Sequence, residues 1–214
     1  MISGASRPGE ALSRSLPLAL ALATLVGLTV AAAPRSAHGA GEDEERFLSI
    51  DQAPGAVFPE ADAFERRDVA ATPELRAQIA RRLGSVRPSL WEDTYVVFTA
   101  RRGGEALGFA VVIEEIGKHR PITSIVGVRP DGKVKDVAVM VYREAYGGEV
   151  RQRRFLDQYP GHEAGERFAG RIRNVAGATL SVEALNRTVQ KGLAVVDVLE
   201  LHPDAPTPAP SVAP

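Results

Sequence analysis

The residues best suited to chemistry lie in one short run, Ala176-Gly177-Ala178-Thr179-Leu180-Ser181, which opens directly onto a long segment of helical periodicity. Small side chains let a ligand come close to the backbone, and the first turn of a helix presents unpaired N–H groups with partial positive charge. A phosphate placed there is stabilised, and Thr179 would sit beside it. The same residues have a plainer reading, in which Thr179 or Ser181 simply caps the helix, as Ser and Thr do throughout proteins. On residue types alone capping is the commoner outcome, and both readings stand.

The rest of the composition narrows what chemistry is available. Cysteine is absent, which excludes disulfides, thiolate nucleophiles, thioether-linked haem and iron–sulfur ligation by cysteine. The four histidines, His38, His119, His162 and His202, are far apart and show no metal-ligand spacing. No metal site is expected, and no catalytic residues stand out. A formal net charge of -1 gives no basic excess of the kind that binds nucleic acid. Redox chemistry would therefore have to come from a bound organic cofactor.

Several elements must position that run. The last helix should extend from about Ser181 to Leu201, with Val182, Leu185, Val189, Leu193, Val196 and Leu199 on one face. Before it, β-branched and aromatic stretches at Thr94 to Ala100, Ala106 to Ile116, Pro121 to Val128 and Lys133 to Tyr142 are joined by short turns. Consecutive strands with short connections imply an antiparallel sheet. A helix is expected over Val150 to Tyr159, and another over Pro73 to Leu83, with Thr72 as its cap and Gly84 as its stop. Trp91, the one tryptophan, is expected in the core. The fold class is α+β: a twisted antiparallel sheet flanked by helices in a single domain, fitting a chain of 214 residues with ends that need not fold.

Residues 1–40 read as a targeting segment. Arg7 and Arg14 precede an uncharged run from Leu16 to Ala33, and Ala37-His38-Gly39 places small residues where a signal peptidase reads, predicting cleavage before Ala40. The alternative is an uncleaved N-terminal membrane anchor, since the run approaches the length needed to span a bilayer. Either way the domain is exported. Residues 41–90 form an N-terminal extension with one helix. At the other end, the Pro/Ala-rich composition of residues 202–214 predicts a disordered tail.

The Gly177-Ala178-Thr179-Leu180-Ser181 segment resembles the GAT-x-[ST] signature of the FMN-binding domain family, which includes flavin-carrying subunits of Rnf and sodium-translocating NADH:quinone reductase complexes. Its context resembles the family in order and spacing. Glu115-Ile116-Gly117-Lys118, Ile125-Val126-Gly127-Val128, Asp131-Gly132-Lys133-Val134 and Val137-Ala138-Val139-Met140 match consecutive strands. Tyr142 to Val150 matches a Glu-plus-Gly element, and Phe155 to Gly161 a following helix. The resemblance covers roughly Leu107 to Leu199, which places an FMN-binding domain at residues 91–201.

It implies FMN as cofactor, attached through its phosphate to Thr179 by a flavin transferase that uses FAD. It also implies electron transfer at the periplasmic side of the inner membrane, with a membrane or periplasmic redox partner. Glu144, Tyr146, Gly147 and Gly148 would line the flavin ring, Tyr146 as a stacking face; the alternative is an ordinary turn. Lys118-His119-Arg120 is first a solvated turn, and otherwise a basic group favouring reduced, anionic flavin or a partner's acidic patch. Arg151, Arg153 and Arg154 form a basic helical face, solvent exposed or a docking surface for a redox partner. Two positions depart from the family: Arg173 stands where an acidic residue is usual, and Ala176 where Ser or Thr is usual. They put covalent attachment in question, while Arg173 is suited to a two-pronged contact with the flavin phosphate. Two other functions stay open: a non-catalytic exported binding or assembly protein without flavin, and a soluble oxidoreductase with non-covalent FMN.

Overall fold

The β-branched runs form strands where their alternation places them, and two further strands extend the sheet. In the computed structural model, which describes residues 44–168 and 170–203, the chain runs β1 (Glu45–Arg46), α1 (Ala53–Val57), β2 (Ala63–Ala70), α2 (Pro73–Leu83), β3 (Thr94–Arg102), β4 (Glu105–Ile116), β5 (Pro121–Val128), β6 (Val134–Tyr142), α3 (Arg153–Leu156) and α4 (Thr179–Val196). A 3-10 turn covers Gly148–Arg151, and a π turn at Asp197–Leu201 continues the last helix. The targeting segment expected at residues 1–40 and the tail beyond residue 203 lie outside the described residues.

One six-stranded sheet has the order β1-β6-β5-β4-β3-β2, with every pairing antiparallel. Both faces are covered. On one, Val97, Val111, Ile113, Val126 and Val137 pack with Leu185, Val189, Leu193 and Val196 of α4 and with Ile79 and Leu83 of α2. On the other, Phe98, Ala100, Ala110 and Ile125 pack with Ala53, Val57 and Phe58 of the α1 region. Residues of opposite parity in β3 and β4 serve the two faces, as the strand period of two requires. Doubly covered strands read as nearly continuous apolar runs, which is why the β4 and β5 sequences are so apolar.

Three expectations change. The Val150 to Tyr159 helix is broken: Gln152 is extended (φ -73, ψ 141) between the 3-10 turn and the single turn of α3. Val150 and Phe155 are both buried but five residues apart, a spacing that would put them on different sides of a continuous helix. The break lets both reach the core. Within residues 41–90 the chain holds two helices and two strands rather than one helix alone, and both strands join the sheet. Trp91 is 42% exposed, not in the core, because it lies in the irregular connection between α2 and β3.

Candidate functional site

The glycine-containing loop does lead into the terminal helix, which starts at Thr179 rather than Ser181. Ala178 occupies the cap position, and no side chain caps the helix. Thr179 is already in the first turn, and Ser181 turns its hydroxyl to Tyr142, so neither performs the capping that residue types alone favoured. The first turn of this 18-residue helix therefore keeps N–H groups with neither an intrahelical nor a side-chain partner.

Those groups open on a cavity of about 470 Å³. The helix start supplies one wall through Gly177, Ala178, Thr179, Leu180 and Ser181. Glu144, Ala145 and Tyr146, after the end of β6, supply a second, and Lys118 and His119, between β4 and β5, a third. Thr179 is exposed at this cavity, whereas Ser181 is buried at 4%. Asn174, which sequence reasoning did not single out, donates from Nδ2 to Thr179 Oγ1 at 3.1 Å. Its only sequence signal was its place in the loop just before the helix.

Glu144 organises the turn opposite. Its Oε1 accepts the backbone N–H of His119 at 2.5 Å and of Arg120 at 2.9 Å. Burial by itself would raise its pKa. The backbone N–H groups of Arg120, His119 and Lys118, together with the charge of His119, more than offset this and hold the carboxyl below its ordinary 4.5. A Cβ at Gly117 would lie 2.7 Å from Glu144 Oε1, so the missing side chain is what lets the carboxylate reach the turn. Sequence reasoning placed Glu144 at a ligand's ring and left Lys118 and His119 chiefly to solvent. The structure makes Glu144 a backbone clamp that brings Lys118 and His119 to the cavity wall.

The remaining candidates divide. Gly147 lies behind the cavity wall with φ +85, where an added Cβ would stand 2.6 Å from Ser181 Oγ. Gly148 belongs to a neighbouring cleft with Glu44, Glu45 and Arg151. Arg173 lines a third cleft with Arg154, Phe155 and Gln158, its backbone N–H donating to Gln158 Oε1 at 2.8 Å. The structure thus does not bring Arg173 into the cavity at Thr179, because the loop between Arg173 and the helix turns its side chain toward the α3 region. In the basic face 151–154, Arg153 is engaged by Asp136 and Asp157, and Arg151 pairs with Glu45 and stacks 4.7 Å over the Phe47 ring.

Arranged this way, the cavity offers partial positive charge at the helix start, full positive charge on Lys118, an aromatic side chain on Tyr146, and one exposed hydroxyl on Thr179. It suits a ligand with a phosphate at one end and a flat, partly polar body. Residues 117–194 match the FMN-binding domain family. Among solved structures the chain is similar to Shewanella oneidensis NqrC, at 14% sequence identity and a TM-score of 0.45, over 66% of this chain and 83% of that one. No curated protein matches the chain. The matched region runs from the turn that Glu144 clamps to the buried face of α4 and takes in all three walls of the cavity, so this part of the chain is similar to the FMN-binding domain family, and FMN is the cofactor that the match indicates.

Proposed function

We propose that the chain is an exported electron carrier whose FMN is attached through its phosphate to Thr179. The observation that carries this reading is the start of α4, a first turn without a side-chain cap that opens on a cavity of about 470 Å³ with the Thr179 hydroxyl exposed beside it. That volume lies within the roughly 300–1,000 Å³ of cofactor sites. The N–H groups of the first turn suit a phosphate, and Tyr146 and Leu180 suit the faces of a flat ring. When bound, isoalloxazine supplies the exchange of one or two electrons.

The chain's own residues hold and bias it. Lys118 and His119 favour added negative charge on the ring, and Glu144 keeps their turn in place. Asn174 occupies one lone pair of Thr179 Oγ1, which leaves the hydroxyl proton uncommitted to that contact. A flavin transferase that uses FAD would form the ester at this oxygen, with AMP leaving. Attachment keeps the cofactor from diffusing away outside the cytoplasm. Export rests on Arg7, Arg14, the apolar run from Leu16 to Ala33 and the small residues around His38, which support cleavage before Ala40 and work at the periplasmic face of the membrane with a membrane or periplasmic redox partner.

Intact mass tests the attachment. The exported protein, produced together with a flavin transferase, should exceed its polypeptide mass by FMN less one water, and Thr179→Val should remove the increment. The same adduct in Thr179→Val refutes Thr179 as the acceptor. A yellow protein that loses its colour in denaturant indicates non-covalent FMN instead, and a protein without absorbance near 450 nm (about where the oxidised cofactor absorbs) even with added FMN refutes the flavin reading and leaves a binding or assembly protein.

A further inference from the structure

Two walls of the cavity are joined by a short chain of hydroxyls. Tyr142 ends β6 and is buried at 3%. Its Oη lies 2.6 Å from the Tyr146 carbonyl oxygen and 2.9 Å from Ser181 Oγ. A carbonyl can only accept and a phenol has one proton, so Tyr142 donates to Tyr146 and Ser181 donates to Tyr142. The direction of donation is stable. Burial pushes the Tyr142 phenol above its ordinary 10.0, with Ser181 opposing and the charges of Glu144 and Glu149 adding, so the proton is retained through the physiological range.

The surrounding backbone is shaped to this contact. Gly147 adopts φ +85, and a Cβ there would lie 2.6 Å from Ser181 Oγ and 3.0 Å from Tyr142 Oη. The loop therefore lies directly against the hydroxyl pair. Tyr146 itself is 85% exposed, so burial does not hold its ring at the cavity; the bond at its carbonyl anchors the backbone that carries it. Ser181 sits in the first turn of α4, two residues from Thr179. The link thus runs from the loop of Glu144 and Tyr146, through Tyr142, to the turn expected to receive the phosphate.

We propose that Tyr142 is a positioning residue of the flavin site: by donating to the Tyr146 carbonyl and accepting from Ser181, it fixes the Glu144–Tyr146 loop against the start of α4. The role rests on the FMN reading of the same cavity. It also separates the two hydroxyls of the Thr179-Leu180-Ser181 run. Ser181 is buried and committed to Tyr142, while Thr179 is exposed at the cavity with its Oγ1 accepting from Asn174.

The test uses the full chain produced without a flavin transferase, titrated with FMN and followed by flavin fluorescence and by the visible circular dichroism of the bound ring. Tyr142→Phe keeps the ring and removes only the hydroxyl. It should weaken FMN binding about tenfold, the loss expected for one hydrogen bond of ordinary strength, and alter the visible dichroism. Ser181→Ala should weaken binding as well, and the double variant should lose less than the product of the two single losses, because both break one chain. Amide exchange at Gly147 and Gly148 should be faster in Tyr142→Phe without any flavin. FMN binding in Tyr142→Phe equal to that of the unmodified chain, multiplying effects, or unchanged amide exchange overturns the positioning role alone. An unmodified chain that takes up no FMN overturns the cofactor reading and this role with it.

Discussion

Glu144 commits its carboxylate to the backbone of the Lys118–Arg120 turn, and from that contact follows a pH dependence. Its folded pKa lies below the ordinary 4.5, so the contact adds stability that is complete above about 4.5 and is lost as pH falls through the lower folded value. Glu144→Gln keeps an acceptor oxygen but removes the charge. It should cost about 1 kcal/mol at neutral pH and lose most of that difference in acid, measured by urea unfolding at neutral pH and below pH 4 (roughly the ordinary carboxylate range). A cost that is the same in both solutions would show that the charge has no part in the clamp. The family resemblance pointed to Glu144 but not to its task, since which backbone N–H groups a carboxylate meets depends on how two distant turns approach. The same reason hid Asn174 and separated Arg173 from Thr179.

At the scale of elements, α2 is the part whose ends were most legible. Thr72 Oγ1 accepts the Leu75 N–H at 3.2 Å, Pro73 occupies the first turn, and the helix ends at Gly84, because all three signals act within a few residues of the element they delimit. Thr72→Ala should lower stability by about 1 kcal/mol, read as a shift of the urea midpoint with unchanged slope. The connection after α2 is held differently. Lys191 of α4 is fully buried, its Nζ 2.5 Å from Glu92 Oε1 and 3.1 Å from the Glu114 carbonyl, and it also donates to the Ser89 carbonyl. Beside it, Glu115 accepts the N–H and hydroxyl of Ser89 at 3.0 and 3.1 Å and pairs with Arg187 at 3.2 Å. Lys191→Met leaves Glu92 buried without its cation and should cost about 3–5 kcal/mol, most of which Lys191→Met with Glu92→Leu should recover. Equal instability of the single and double variants in thermal unfolding would show that packing rather than charge holds this connection. A lysine on the inner face of an otherwise apolar helix is visible in the sequence; its partner, nearly a hundred residues away, is not.

At the scale of the whole molecule, the proposed export has a direct measurement. The N-terminus of protein recovered from outside the cytoplasm should be Ala40; recovery of a chain beginning at Met1 would favour the anchor. Within the folded part, the sequence alone determined those features set by near neighbours or by a repeating period: the four central strands, the capped α2, the apolar face of α4 and the small-residue loop before it. Local sterics and burial of one face leave each of these little alternative. Tertiary structure decided the rest. The charged run Glu65-Arg66-Arg67-Asp68 became a strand because it pairs with β3 along an edge that tolerates such residues. The 150–159 segment broke so that Val150 and Phe155 could both be buried. The cavity at Thr179 came from three segments, 118–119, 144–146 and 177–181, that only the sheet and its covering helix bring together. Contacts between segments far apart in the chain depend on the packing of everything between them, and no local pattern encodes that.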